Sequence, residues 1–140
     1  MIRIAKAQWE GNLKEGKGTL STQSGILENT NYSYKTRFEE DENGTNPEEL
    51  MAAAHAGCFT MSVSAMLSKK GYTATSLNTT ATLTMDGSKI FGIHLVITGD
   101  VADISVEDFV TITKDAEKNC LISKVLNIPI TSEAHFITQI

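Results

Sequence analysis

Cys58 and Cys120 are the two cysteines of this 140-residue chain, and two thiols in one fold can do what one cannot. A thiolate that attacks the distal oxygen of a peroxide becomes a sulfenic acid, which a second thiol converts to a disulfide for a small dithiol to reduce. Two inert buried cysteines acting as small hydrophobes are the commoner arrangement, and metal binding is a third reading. Neither cysteine belongs to a CxxC pair and no histidines stand at finger spacing, which argues against a structural zinc site. In a reducing compartment a permanent disulfide is also disfavoured.

A catalytic thiol has to be deprotonated at neutral pH, and burial in mid-helix works against that, so a reactive Cys58 needs a cation beside it. Arg37 is the best candidate, read as lying on the polar side of a short strand: its charge is permanent and a carboxylate can hold its planar fork. Glu48 is the carboxylate left for this, because Glu49 is taken up by a helix cap. Each has an ordinary alternative, Arg37 as a solvated strand residue and Glu48 as a first-turn acid complementing the helix dipole. Glu48 and Cys58 are ten residues apart, about 15 Å along a straight helix. A compact cluster therefore takes Arg37 and Glu48 from one subunit and Cys58 from another, which predicts an obligate dimer. His55, three residues before Cys58, reads as a buried hydrogen-bonded histidine in preference to a base or half of a metal site. His94 and His135 fall in strands without an evident partner.

The element that must position Cys58 starts at Asn46, with Pro47 in the first helical position and Glu49 closing a capping box. The helix is expected to run to about Lys69-Lys70 and to stop at Gly71. Its stretch from Leu50 to Leu67 has no Lys, Arg, Asp or Glu, and at about 35 Å the helix is long enough to cross a bilayer. The stretch is made mostly of Ala, Gly, Ser, Thr and Met with one histidine, so a buried central helix is the preferred reading. Its small residues would let another backbone come close, and a second subunit is one such neighbour.

Upstream, "RIAKAQWEG", "GKGTLSTQSG" and "NYSYKTRFE" read as three strands of an antiparallel meander. In the third, Tyr32, Tyr34, Thr36 and Phe38 alternate with polar residues at the period of a half-buried strand. "EEDENGTNPEEL" is an acidic connection. Downstream, "YTATSLNTTATLTMD" and "KIFGIHLVITGDV" form a hairpin through Asp86-Gly87-Ser88. Ser105 caps a second helix, with Phe109, Ile112, Ala116 and Cys120 on one face. "LISKVLN" either continues it or makes a short helix of its own, and Pro129 opens a last strand, "IPITSEAHFITQ". The sum is α+β with mostly antiparallel strands, in one domain over 1–140.

Composition bounds the function classes. With 41% hydrophobic and 21% charged residues the chain is globular, and a net charge of −5 with scattered Lys and Arg is poor material for binding nucleic acid or an anionic membrane. The amino-terminal residues lack the apolar stretch of a signal peptide, so a cytoplasmic protein is expected. No cofactor or metal is expected.

"AQWEGNLKEGKGTLSTQSG", "YSYKTRFE", "GTNPEELMAAAHAGCF" and "CLISKVL" together resemble the OsmC family, osmotically inducible relatives of the organic hydroperoxide resistance proteins, over nearly the whole chain. "TRFE" and "AAHAGCF" lean to the OsmC branch. The resemblance implies two intertwined subunits with strands wrapped around central helices, and a thiol-dependent peroxidase that prefers organic hydroperoxides. It makes Cys58 the peroxidatic and Cys120 the resolving cysteine, with Arg37 and Glu48 completing the site and a small dithiol or lipoyl protein as reductant. Leu121 stands where the family usually has proline, a residue that favours starting a new helical turn. The alternative from another class is a non-catalytic dimeric stress protein or binder of small apolar ligands, with structural cysteines.

Overall fold

The computed structural model describes residues 1–41 and 43–137. Glu42 of the acidic connection, and Thr138 and Gln139 of the expected last strand, lie outside the described residues. The chain divides into two compact units, Met1–Leu50 and Met51–Ile140.

In the first unit β1 (Ala5–Glu10), β2 (Lys17–Thr22) and β3 (Thr30–Tyr32) pair antiparallel in the order 1-2-3, the expected meander. Gly18 on β2 lets the rings of Trp9 and Tyr32 close to 5.4 Å over the sheet; a Cβ there would lie 2.4 Å from Tyr32 and 2.6 Å from Trp9. The third strand is much shorter than its alternation suggested. It stops at Tyr32, and residues Tyr34–Phe38 form a helix, α1. Ser33 is the reason: its hydroxyl accepts from the Thr36 amide (3.2 Å) while Thr36 Oγ1 accepts from the Ser33 amide (2.8 Å), a complete capping box. Tyr34 and Phe38 then sit one turn apart with ring centroids at 5.1 Å. A period-two pattern over so few residues also fits i, i+4, and the cap decided the outcome.

The long helix α2 spans Pro47–Lys69. Asn46 Oδ1 accepts from the Glu49 amide at 2.7 Å, the expected cap. The reciprocal half of the capping box is replaced, since the Glu49 carboxylate accepts from Thr45 Oγ1 (2.7 Å). Gly71, at φ +86°, closes the other end as expected, with the Tyr72 amide returning to the Leu67 carbonyl.

In the second unit β4 (Ala74–Met85) and β5 (Ile90–Val101) form the expected hairpin, its turn held by Asp86 Oδ1, which accepts from the amides of Ser88 and Lys89. After α3 (Val106–Asn119) and α4 (Leu121–Val125), β6 (Ile130–Phe136) returns to pair with β5 in parallel. A parallel neighbour needs a crossover of this length. The core is one apolar cluster: Phe59, Val63 and Leu67 of α2, Ile93, Leu95, Ile97 and Val101 of β5, and Phe109, Ile112 and Ala116 of α3, with Cys120 at its edge.

Two expectations need correction. The helix α2 is not buried all round within the chain: 22% of its apolar window is buried, and Ala53, Ala54, Gly57, Met61, Ser64 and Ala65 are exposed. Its length and composition would suit a membrane span, yet its buried residues fall on one stripe, as in a helix resting on a core. Cys120, expected on the apolar face of α3, instead lies between α3 and α4 with ψ 146°, which breaks the helix there. No proline is needed: Leu121 takes the first helical position of α4, exposed, and Cys120 caps it.

Gly99 marks the tightest contact of β5 with α3, because a Cβ there would come within 2.6 Å of the Phe109 ring, which is itself buried and packed on Phe136 at 4.7 Å. Gly99→Val should therefore cost about 1–3 kcal/mol, the usual range for overpacking a filled core, read as a lowered midpoint of urea unfolding with little change in slope.

Candidate active site

Within the first unit α1 and the start of α2 bring Arg37 and Glu48 together. Arg37 Nη2 donates to Glu48 Oε1 at 2.7 Å, and Nε donates to the same carboxylate at 3.0 and 3.3 Å. Arg37 is therefore a helical residue, not a strand residue; α1 aims it across to α2, and Asn46 Nδ2, donating to the Thr36 carbonyl at 3.0 Å, ties the two helices at that point. Glu48 is buried while the Arg37 side chain is 42% exposed, so the carboxylate orients a cation that still reaches solvent. The Arg37 guanidinium also lies 5.0 Å from the Phe38 ring centroid. As the sequence suggested, Glu49 is engaged elsewhere and Glu48 holds the arginine.

In the second unit both thiols are free. Cys58, half-buried on α2, packs against the same apolar cluster that contains the buried Cys120. Cys120 Sγ accepts from the Ser123 amide at 3.4 Å, capping α4, and lies 3.0 Å from Ser123 Oγ. Ser123 Oγ in turn lies 2.7 Å from Nε2 of His55, whose side chain is fully buried on α2. His55 is thus the buried, hydrogen-bonded histidine that was expected, and its partner leads directly to Cys120. Ser123 was missed in the sequence. The signal was there: a cysteine followed three residues later by a serine, at an N-cap and its N3 position.

The other histidines meet an acid. His94 and His135 lie 3.8 and 3.5 Å from Glu133, on the neighbouring strands β5 and β6, and His94 Nδ1 is 2.6 Å from Thr131 Oγ1. Among the described residues no group of three or more His, Cys, Asp or Glu side chains is arranged to hold a metal.

Burial pushes the His55 imidazole below its ordinary value of 6.5, so the folded protein keeps it neutral where the unfolded chain begins to take up a proton. Below about pH 6.5 the unfolded state binds more protons at this position, and stability falls as pH drops towards the folded-state value. Urea midpoints should accordingly decline between pH 7.5 and 5.5, and His55→Gln should flatten part of that decline.

A family model described as OsmC-like protein matches residues 39–134. Peroxiredoxin OsmC of Escherichia coli strain K12 is 46% identical over 130 residues, covering 90% of each chain. The uncharacterized protein YmaD of Bacillus subtilis is 27% identical over 139 residues, 92% of this chain and 90% of its own. Among solved structures, an OsmC-like protein of unknown function from Vibrio cholerae superposes with a TM-score of 0.72 at 16% identity, covering 96% of this chain and 99% of that one. An organic hydroperoxide resistance protein OsmC from Legionella pneumophila gives 0.69 at 18% identity, covering 99% and 98%. At these identities the two structures speak for the fold, while the family model and the E. coli relative decide the kinship: the chain belongs to the OsmC family.

Proposed function

We propose that this protein is a cysteine-based peroxidase that reduces organic hydroperoxides, and hydrogen peroxide more weakly, in defence against oxidative or osmotic stress. The observation that carries this reading is that Cys58 and Cys120 are both free and packed on one apolar core, in a chain 46% identical to a protein named as a peroxiredoxin. The Cys58 thiolate attacks the distal peroxide oxygen. The O–O bond breaks, the alkoxide leaves and is protonated to the alcohol, and Cys58 becomes a sulfenic acid. Cys120 then attacks the Cys58 sulfur, water is lost, and the resulting disulfide is reduced by a small dithiol or a lipoyl protein. Arg37 stabilises the thiolate and the developing alkoxide, and Glu48 keeps its guanidinium aimed.

Glu48 and Cys58 stand ten residues apart on the single helix α2, so in this reading Arg37 and Glu48 of one subunit serve Cys58 of another. The exposed small residues of α2 support a homodimer, since they suit close approach of a second backbone. The whole chain acts as one OsmC-like domain of the cytoplasm, without nucleic-acid or membrane partners.

One equivalent of cumene hydroperoxide should remove both thiols per chain, with a mass loss of two hydrogens. Two unreacted thiols would overturn the peroxidase reading in favour of a non-catalytic ligand binder. Cys58→Ser should abolish turnover, Cys120→Ser should allow a single oxidation without efficient recycling, and Arg37→Ala should slow the first oxidation about 100-fold or more. Shared sites make a further prediction: Arg37→Ala subunits, severely impaired alone, and Cys58→Ser subunits, inactive alone, should regain peroxidase activity when co-refolded. Persistent inactivity of a mixed dimer would place the arginine and thiol of each site in one subunit.

A further inference from the structure

Among the buried polar side chains that the peroxidase cycle leaves without a role, His55 and Ser123 both lead to Cys120. His55 is fully buried, Ser123 nearly so, and they meet at 2.7 Å across the second unit from α2 to α4. Among the described residues His55 Nδ1 has no hydrogen-bond partner. A buried N–H without an acceptor costs more than a bare lone pair, so the ring proton belongs on Nε2, where Ser123 Oγ accepts it. The serine hydroxyl hydrogen is then free for Cys120 Sγ at 3.0 Å, and the Ser123 amide donates to the same sulfur at 3.4 Å.

We propose that His55 and Ser123 are positioning residues for the resolving step: a hydrogen-bond chain from Nε2–H through Oγ–H that holds the Cys120 sulfur and donates to its thiolate, the form that attacks. The proposal rests on the peroxidase reading above. In that step the S–S bond forms while the S–O bond of the Cys58 sulfenic acid breaks, and the Cys120 thiol proton leaves with the departing hydroxide as water. Burial keeps the imidazole neutral, so His55 acts as a fixed donor and not as a base. Coupling through a histidine on α2, the helix that carries Cys58, ties the resolving sulfur to the element bearing its target.

The test separates the two steps. Reduced protein is mixed with excess cumene hydroperoxide in a stopped-flow instrument, with mass spectrometry of quenched samples to assign sulfenic acid formation and disulfide closure. Ser123→Ala should leave the first step unchanged and slow closure about tenfold or more, the order that one hydrogen bond to a charged group contributes. Closure at the wild-type rate in that variant overturns the proposal alone, whereas absence of the first step in the unsubstituted protein overturns the peroxidase reading with it. The imidazole 15N shifts of His55 in the unsubstituted reduced protein give a second readout that needs no variant. A neutral ring protonated on Nε2 supports the chain, and a proton on Nδ1 overturns it.

Discussion

His55, Phe59, Val63 and Leu67 recur every fourth residue along α2, and this one buried stripe is the constraint from which much of the second unit follows. Three of the four are apolar and enter a cluster with β5 and α3. Burying large side chains of this kind contributes roughly 1.5–3 kcal/mol each. The fourth is an imidazole, and burying it is tolerable only because Ser123 meets one of its nitrogens. Seating α2 on the core therefore also fixes where α4 must present Ser123, and with it the sulfur of Cys120. The opposite face of the same helix, made of small residues and Met61, is left uncovered.

Polar burial in the first unit follows a similar logic. Glu48 is buried at the start of α2, and a carboxylate there needs a strong partner, which Arg37 supplies through Nε and Nη2. The arginine can reach it because Ser33 and Thr36 turn the chain into α1 instead of letting β3 run on. Asn46 serves both elements, capping α2 with its side-chain oxygen while its nitrogen donates to α1. Under the proposed mechanism this arrangement holds a guanidinium in a fixed attitude without neutralising its access to a ligand. A lysine in that position would present a point charge on a flexible stem, with no fork for the carboxylate to grip.

The long helix was legible because its signals are local and redundant: Asn46 and Pro47 start it, Gly71 in the left-handed region ends it, and an uncharged run lies between. The hairpin at Asp86 and the cap at Ser105 were readable for the same reason. Where a pattern was short it misled. Tyr32, Tyr34, Thr36 and Phe38 satisfy strand and helix spacing alike over so few residues, and the reciprocal capping bonds of Ser33 and Thr36 settled it. Cys120 matched the apolar period of α3 and yet lies past its end, since periodicity records which face a residue would occupy and not where the helix stops.

Kinship, and the residue types of the proposed site, were determined by the sequence alone. The OsmC-like family match over residues 39–134 belongs to the sequence itself, and the helix connecting Glu48 to Cys58 follows from its caps. The tertiary structure decided what distant segments do to one another: that Arg37 grips Glu48 from a helix and not from a strand, that β6 joins β5 in parallel, and that His55 reaches Cys120 through Ser123. Capping and turn formation depend on neighbours a few residues apart, which a sequence displays directly. A contact between residues 55 and 123 depends on how a whole core packs, and only the folded chain computes that.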